Sequence, residues 1–136
     1  MNLHTPSIMK AGGIAAAISV ILGIVSAIPV LGCLFAPFAC IGGFFIPFGA
    51  GLGYGYFAPG EENTTEGVVG GLLTGIVSGL IYGAISGLGA FLVADFSTAI
   101  MTFIASAIGL AFFGGLMGAL GGLVWPQIQT MVEGRR

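Results

Sequence analysis

Six glycines stand four residues apart in one uncharged apolar stretch of this chain. They are Gly67, Gly71, Gly75, Gly79, Gly83 and Gly87. In water each glycine inside a helix costs about 1 kcal/mol relative to alanine, so six of them would destabilise a soluble helix. In a bilayer the backbone must satisfy its own hydrogen bonds, so the helix persists and its flat face can receive a second helix. The spacing therefore predicts a membrane helix with a glycine-zipper packing face.

The composition agrees with a membrane location. Only 6% of the 136 residues are charged, whereas soluble domains have about 25%, and the mean hydropathy is +1.11. Three Lys and Arg residues are too few to form a basic surface for nucleic acid. No charge occurs between Ala11 and Gly60, a length sufficient for two spans of about 20 residues each. We therefore expect an all-α integral membrane protein.

Four transmembrane helices are predicted in a single domain, residues 1–136. The spans are expected at about 11–30, 40–57, 67–90 and 97–124, with a polar loop at 58–66 and a C-terminal tail at 125–136. Pro29 and Pro37 bracket a short connection between the first two spans, and Trp125-Pro126 is expected to end the fourth. Four spans with short loops predict a compact bundle packed through faces of small residues.

The small residues of spans three and four define the expected packing faces. Gly114, Gly118 and Gly122 repeat the four-residue spacing in span four. A step of four residues drifts by about 40° around a helix axis, so the row from Gly67 to Gly87 wraps about half of the helix. One straight partner is therefore not expected to use all six glycines. The remainder should face a second helix or another subunit, which makes span three the centre of the bundle.

The basic residues predict the orientation. With four spans both termini lie on one side, together with the polar loop. Lys10, Arg135 and Arg136 then share that side, and the positive-inside rule makes it cytoplasmic. A prokaryotic inner membrane is the expected location. The aromatic residues near this side are expected at the membrane interface; they are Tyr54, Tyr56 and Trp125.

Residues with reactive side chains are few, and no catalysis is expected. His4 is the only histidine and is expected to be solvated, so neither a histidine-based triad nor a multi-histidine metal site is available. Cys33 and Cys40 could form a disulfide or pack as apolar thiols. Asp95 is an ionisable residue at the outer end of the bundle, where it is either functional or the N-cap of span four, and we favour the cap. No cofactor is predicted.

Four alternating glycines in span two need a separate explanation. Gly49, Gly51, Gly53 and Gly55 resemble the inner helix of rotor-ring proteolipids, but no acid lies inside any predicted span to carry the ion. The run Gly51-Leu52-Gly53-Tyr54-Gly55 resembles the potassium-channel filter. Gly51 there replaces the threonine whose hydroxyl coordinates the ion, so neither function is expected.

A broader similarity covers about half of the chain. The hairpin Pro29…Cys33…Cys40…Gly42-Gly43 and the pair Glu66-Gly67 resemble small glycine-rich prokaryotic membrane proteins of four spans. This family is uncharacterised, so the resemblance implies the four-span fold and no particular activity.

Together these observations predict a non-enzymatic membrane protein that acts by helix packing. It would be an accessory subunit of a larger membrane complex or a homo-oligomer, with the lipid bilayer and other membrane subunits as partners. The alternative is a small channel or transporter for ions or small solutes. That alternative needs a hydrated path through the bundle, and the residues available to line it are Thr74, Ser78, Ser86, Thr102 and Ser106.

Overall fold

The fold is entirely helical in the part of the chain that the computed structural model describes. That part comprises residues 3–27, 29–58, 63–92 and 94–133, with the side chains of 26, 27, 29–36 and 38–40 excepted. The helices are α1 (Thr5–Ala27), α2 (Pro29–Phe57), α3 (Thr64–Leu88) and α4 (Phe96–Glu133), and a 3-10 turn (Gly89–Leu92) follows α3. The side chains of Cys33 and Cys40, which could form a disulfide or pack as thiols, and the residues Arg135 and Arg136 lie outside the described part of the chain.

Three segments of these helices are long and apolar enough to cross a membrane. They are Thr5–Val25, Thr64–Leu92 and Phe96–Val132. Each exceeds the roughly 20 residues that span a hydrocarbon core of about 30 Å. The chain is thus an all-helical protein with at least three candidate membrane spans among its described residues.

Two helices are longer than the sequence predicts, because proline does not end them. The expected connection between Pro29 and Pro37 is wrong: α2 begins at Pro29 and contains Pro37 and Pro47. Pro29 occupies the first helical position, where its fixed φ and missing N–H are tolerated. The expected end at Trp125-Pro126 is also wrong, since α4 continues through Pro126 to Glu133. An interior proline removes one backbone hydrogen bond, and both helices nevertheless continue through it.

The helices alternate in direction, so the start of one helix lies beside the end of the next. Contacts join Gly53 to Ala11, Gly55 to Trp125 and Gly67 to Gly122. The starts of α1 and α3 and the C-terminal part of α4 therefore lie towards the same end of the bundle as the end of α2. Helices α2 and α3 each pack against the other three helices, so α3, predicted to be the centre of the bundle, shares that place with α2.

Residue size separates the interior from the exterior. Among the described residues the buried apolar side chains are five alanines, Tyr54 and Pro47. The buried polar residues are Ser7, Ser19, Thr74 and Ser78. Large apolar side chains instead point outwards along all four helices, for example Ile21, Phe45 and Phe112. This distribution is typical of helices that approach closely through small residues and present bulky ones to lipid.

The start of α4 is fixed by the side chain of Asp95. Its Oδ2 accepts a hydrogen bond of 3.0 Å from the backbone N–H of Thr98, and its Oδ1 accepts one of 2.8 Å from the Thr98 hydroxyl. These bonds stabilise the charged carboxylate, so they lower the pKa of Asp95 below its ordinary value of 3.8. The predicted capping role of Asp95 is confirmed.

This geometry predicts a pH-dependent contribution from one residue. Because folding lowers the pKa of Asp95, its stabilising effect is fully present above the unfolded pKa and is lost as the pH falls through the folded pKa. We expect Asp95→Ala to unfold more easily than the wild type at neutral pH and to match it in acid. Asp95→Asn retains a capping oxygen, so it should lose less stability than Asp95→Ala at neutral pH. Thermal unfolding in detergent, followed by circular dichroism from neutral to acidic pH, measures this; a constant difference between Asp95→Ala and wild type would contradict it.

Candidate functional site

Very close packing joins the glycine ladder of α3 to α4. A Cβ added to Gly75 would come closer than 3.0 Å to the Gly114 carbonyl oxygen, a separation that real Cβ atoms essentially never show. A Cβ on Gly71 would meet the Gly118 carbonyl in the same way, and one on Gly79 would meet that of Leu110. The relation is reciprocal, because a Cβ on Gly118 would strike the Gly71 carbonyl. Backbone therefore lies directly against backbone along this interface.

All six ladder glycines lie against α4, which corrects the expectation that one partner could not use them all. Gly67 faces Gly122, Gly83 faces Ser106 and Gly87 faces Phe103, so the contacts extend over the full row. The expectation assumed a straight partner. Helix α4 instead presents its own four-residue row, which drifts by the same angle, so the two rows stay together if the helices wind around each other. A repeat longer than 3.6 residues per turn fits right-handed winding.

Helix α2 joins this interface through its alternating glycines. Residues two apart on a helix lie about 200° apart, so four alternating glycines form two rows on opposite sides of α2. Gly51 meets the backbone of Gly118, and Gly55 meets the ring of Trp125, both on α4. On the other side, Gly53 meets Ala11 of α1. The alternation therefore allows α2 to fit between α1 and α4.

A second row of small residues on α3, next to the glycine ladder, contacts α1 and α2. It begins at Gly70, where an added Cβ would strike the ring of Tyr54. Thr74 follows, next to Gly12 of α1, and then Ser78. Tyr54, which the sequence predicts at the membrane interface, is fully buried within the bundle, and its depth in the membrane stays a prediction. Its ring fits the bundle because Gly70 leaves space for it.

The five hydroxyl residues predicted to line a path do not share one environment. Thr74 and Ser78 are fully buried, and their hydroxyls donate to carbonyls of their own helix, Gly70 at 2.7 Å and Gly75 at 3.0 Å. Ser106 donates across the interface to the carbonyl oxygen of Gly83 at 3.0 Å. Ser86 and Thr102 are exposed on the outside of the bundle.

His4 takes part in a cluster that the sequence analysis missed. Its Nδ1 lies 2.6 Å from Oγ of Ser7, and its backbone N–H makes a long bond of 3.5 Å to the Tyr54 hydroxyl. Ser7 is almost fully buried. The expectation of a solvated His4 is therefore wrong. The available signal was the row Ser7, Ala11, Ala15 and Ser19, which continues the small-residue spacing of α1 to within one turn of His4.

The polar groups of the described residues are satisfied within the bundle. No buried side-chain nitrogen or oxygen there lacks a hydrogen-bond partner. Among the same residues, no group of three or more His, Cys, Asp or Glu side chains is close enough to hold a metal. What the described geometry offers is a set of helix-packing surfaces.

Comparisons with protein-family models, curated proteins and solved structures found no match to this chain. The class of the protein therefore follows from its own fold. With an all-helical fold and three helices long and apolar enough to cross a membrane, the chain is a multi-pass helical membrane protein.

Substitution at the ladder should separate close packing from helix propensity. A Cβ on Gly79 would strike the backbone of Leu110 and Ala111, whereas one on Gly109 would meet nothing within 4 Å. We expect Gly79→Ala to lower the free energy of unfolding by about 1–3 kcal/mol, the usual cost of overpacking. Gly109→Ala should cause no loss. Reversible unfolding in mixed micelles measures both variants, and equal stabilities would contradict the packing described here.

Proposed function

We propose that this chain is a non-enzymatic integral membrane protein of four spans that acts by helix packing. It serves as an accessory or structural subunit of a larger membrane complex, or as a homo-oligomer. The proposed location is a prokaryotic inner membrane, with both termini in the cytoplasm on the side of Lys10. The support comes from α2, from the bundle interior and from one exposed face of α4.

Helix α2 is the proposed fourth span. Its 29 residues correspond to a length of about 43 Å, more than the hydrocarbon core requires. It carries no charged residue. It also lies between α1 and α4, which are both candidate spans, through the two glycine rows described above. These contacts favour the same depth in the membrane for α2 as for its two neighbours.

The interior supports a packing role over conduction. Glycine, alanine and small hydroxyl residues fill the interfaces, and the hydroxyls of Thr74 and Ser78 are bonded to their own helix. A hydrated path needs polar groups that can exchange protein partners for water or ions. Ser19, which is equally buried, also donates its hydroxyl to a carbonyl of its own helix, so we favour a glycine-zipper scaffold over a channel.

The observation that carries the subunit proposal is an exposed face of small residues on α4. Thr102, Ala105 and Gly109 follow one another at helical spacing and are exposed, and nothing lies within 4 Å of a Cβ on Gly109. The neighbouring exposed residues are bulky, including Ile108 and Phe112. A shallow depression between large side chains matches the surface that membrane helices use to associate. We propose that another subunit or a second copy packs there.

Two leucine substitutions test this surface, and each is expected to change the stability of the isolated chain equally little. Gly109 and Gly13 are both exposed, and neither has a neighbour within 4 Å of an added Cβ. We expect Gly109→Leu to weaken association with the copy or co-purifying subunit by at least about tenfold, since a bulky side chain separates the helices. Gly13→Leu, on the outside of α1, should not change it.

The measurement is native mass spectrometry of the protein released from native membranes in mild detergent. A wild-type protein that runs only as a monomer with no partner would refute the subunit proposal. Equal loss of association in both variants would refute the assignment to α4. A solute flux in proteoliposomes that survives Gly109→Leu would favour the channel instead.

A further inference from the structure

A groove runs along the outside of the bundle between α1 and α2. Its volume is about 300 Å³, and it is lined by apolar residues. Small residues form its floor, among them Ala15 and Gly49, while Ile14, Ile18 and Phe45 form its rims. Nothing lies within 4 Å of a Cβ on Gly49. The groove exists because small residues of both helices coincide at a place where no third helix covers them.

The dimensions of the groove match a single hydrocarbon chain. On α2 its lining extends from Phe45 to Phe57, which is about 18 Å at 1.5 Å per residue. One leaflet contributes half of a hydrocarbon core of about 30 Å. The volume lies at the lower limit of about 300–1,000 Å³ for ligand pockets, so it accommodates a narrow chain and not a bulky ring system.

A cation stands at one end of this groove. Lys10, Ile14 and Ile18 follow at intervals of four residues and therefore share one face of α1. Ile14 and Ile18 line the groove, and Lys10, which is exposed, lies one turn beyond Ile14. This is the end at which α1 begins, and Phe57 of α2 lies there too. The ammonium group is thus placed where the headgroup of a lipid would emerge from the groove.

We propose that this groove binds one anionic phospholipid, with an acyl chain between α1 and α2 and its phosphate next to Lys10. The proposal rests on the membrane location and is independent of which subunit packs on α4. An apolar chain alone gains little inside a bilayer, because surrounding lipid is equally apolar. The attraction between Lys10 and an anionic headgroup supplies the preference, and the filled groove restores contacts that its small residues leave open.

The test counts lipids bound to the intact protein by native mass spectrometry while phosphatidylglycerol or phosphatidylcholine is titrated into detergent. We expect one phosphatidylglycerol to bind more tightly than phosphatidylcholine. Lys10→Gln should weaken phosphatidylglycerol binding about fivefold, the effect of one cation near an anionic headgroup, and remove the preference. Gly49→Leu should abolish the bound lipid, because its side chain fills the groove. Gly13→Leu adds the same side chain outside the groove and should bind as the wild type does.

Each outcome decides the proposal. Wild-type affinity in Gly49→Leu, or equal affinity of the wild type for the two lipids, would overturn it. Loss of a dimer instead of a lipid in Gly49→Leu would also overturn it and assign the groove to a second copy. If Gly49→Leu fails to fold, Ile18→Trp narrows the groove from α1 and should weaken lipid binding instead. Lys10→Gln changes only an exposed residue and tests the headgroup contact in a folded protein.

Discussion

The bundle depends on one constraint: the backbones of three helices meet without side chains between them. At Gly118 the chain of α4 lies against Gly71 and Gly75 of α3 and against Gly51 of α2. A methyl group at any of these positions would strike a neighbouring backbone. Because packing in a membrane gains little from the hydrophobic effect, van der Waals contact between closely spaced helices has to supply much of the stability. The contacts of α3 with α4 extend from Gly67 to Gly87, about 30 Å of helix, which equals the thickness of the hydrocarbon core.

This constraint also explains the unusual distribution of side-chain size. Small residues must lie inside, where the helices touch. The large apolar residues therefore lie on the outer surface of the bundle. In water such a surface would aggregate, whereas in lipid it costs nothing. Tyr54 is a large residue that is nevertheless buried. Its ring occupies space that a small residue, Gly70, leaves open. Its hydroxyl, near His4, connects the first turn of α1 to the end of α2.

Much of this architecture could be predicted from the sequence, because it depends on local patterns. The uncharged apolar stretches indicate the helices, the four-residue glycine spacing indicates the packing face, and Asp95 indicates its own cap. Three features could not be predicted. Pro37 and Pro126 lie inside helices, although a proline there removes a backbone hydrogen bond and is typical of a helix end. The single partner of the ladder depends on the row of residues that α4 places against it, and the burial of Tyr54 depends on Gly70 of another helix.

The alternating glycines of α2 show how one local pattern acquires several structural roles. On a strand, alternation would place all four on one face, but on a helix it divides them between opposite sides. Gly51 and Gly55 contact α4, and Gly53 contacts α1. A Cβ on Gly49 would have no neighbour within 4 Å. Gly51 and Gly55 are therefore required by helix packing, whereas a Cβ on Gly53 would lie 3.3 Å from that of Ala11 and only tighten the contact. Gly49 is not required, because a larger residue there would fit the chain as it stands. The open space at Gly49 is therefore where the bundle can accommodate another molecule, such as the proposed lipid.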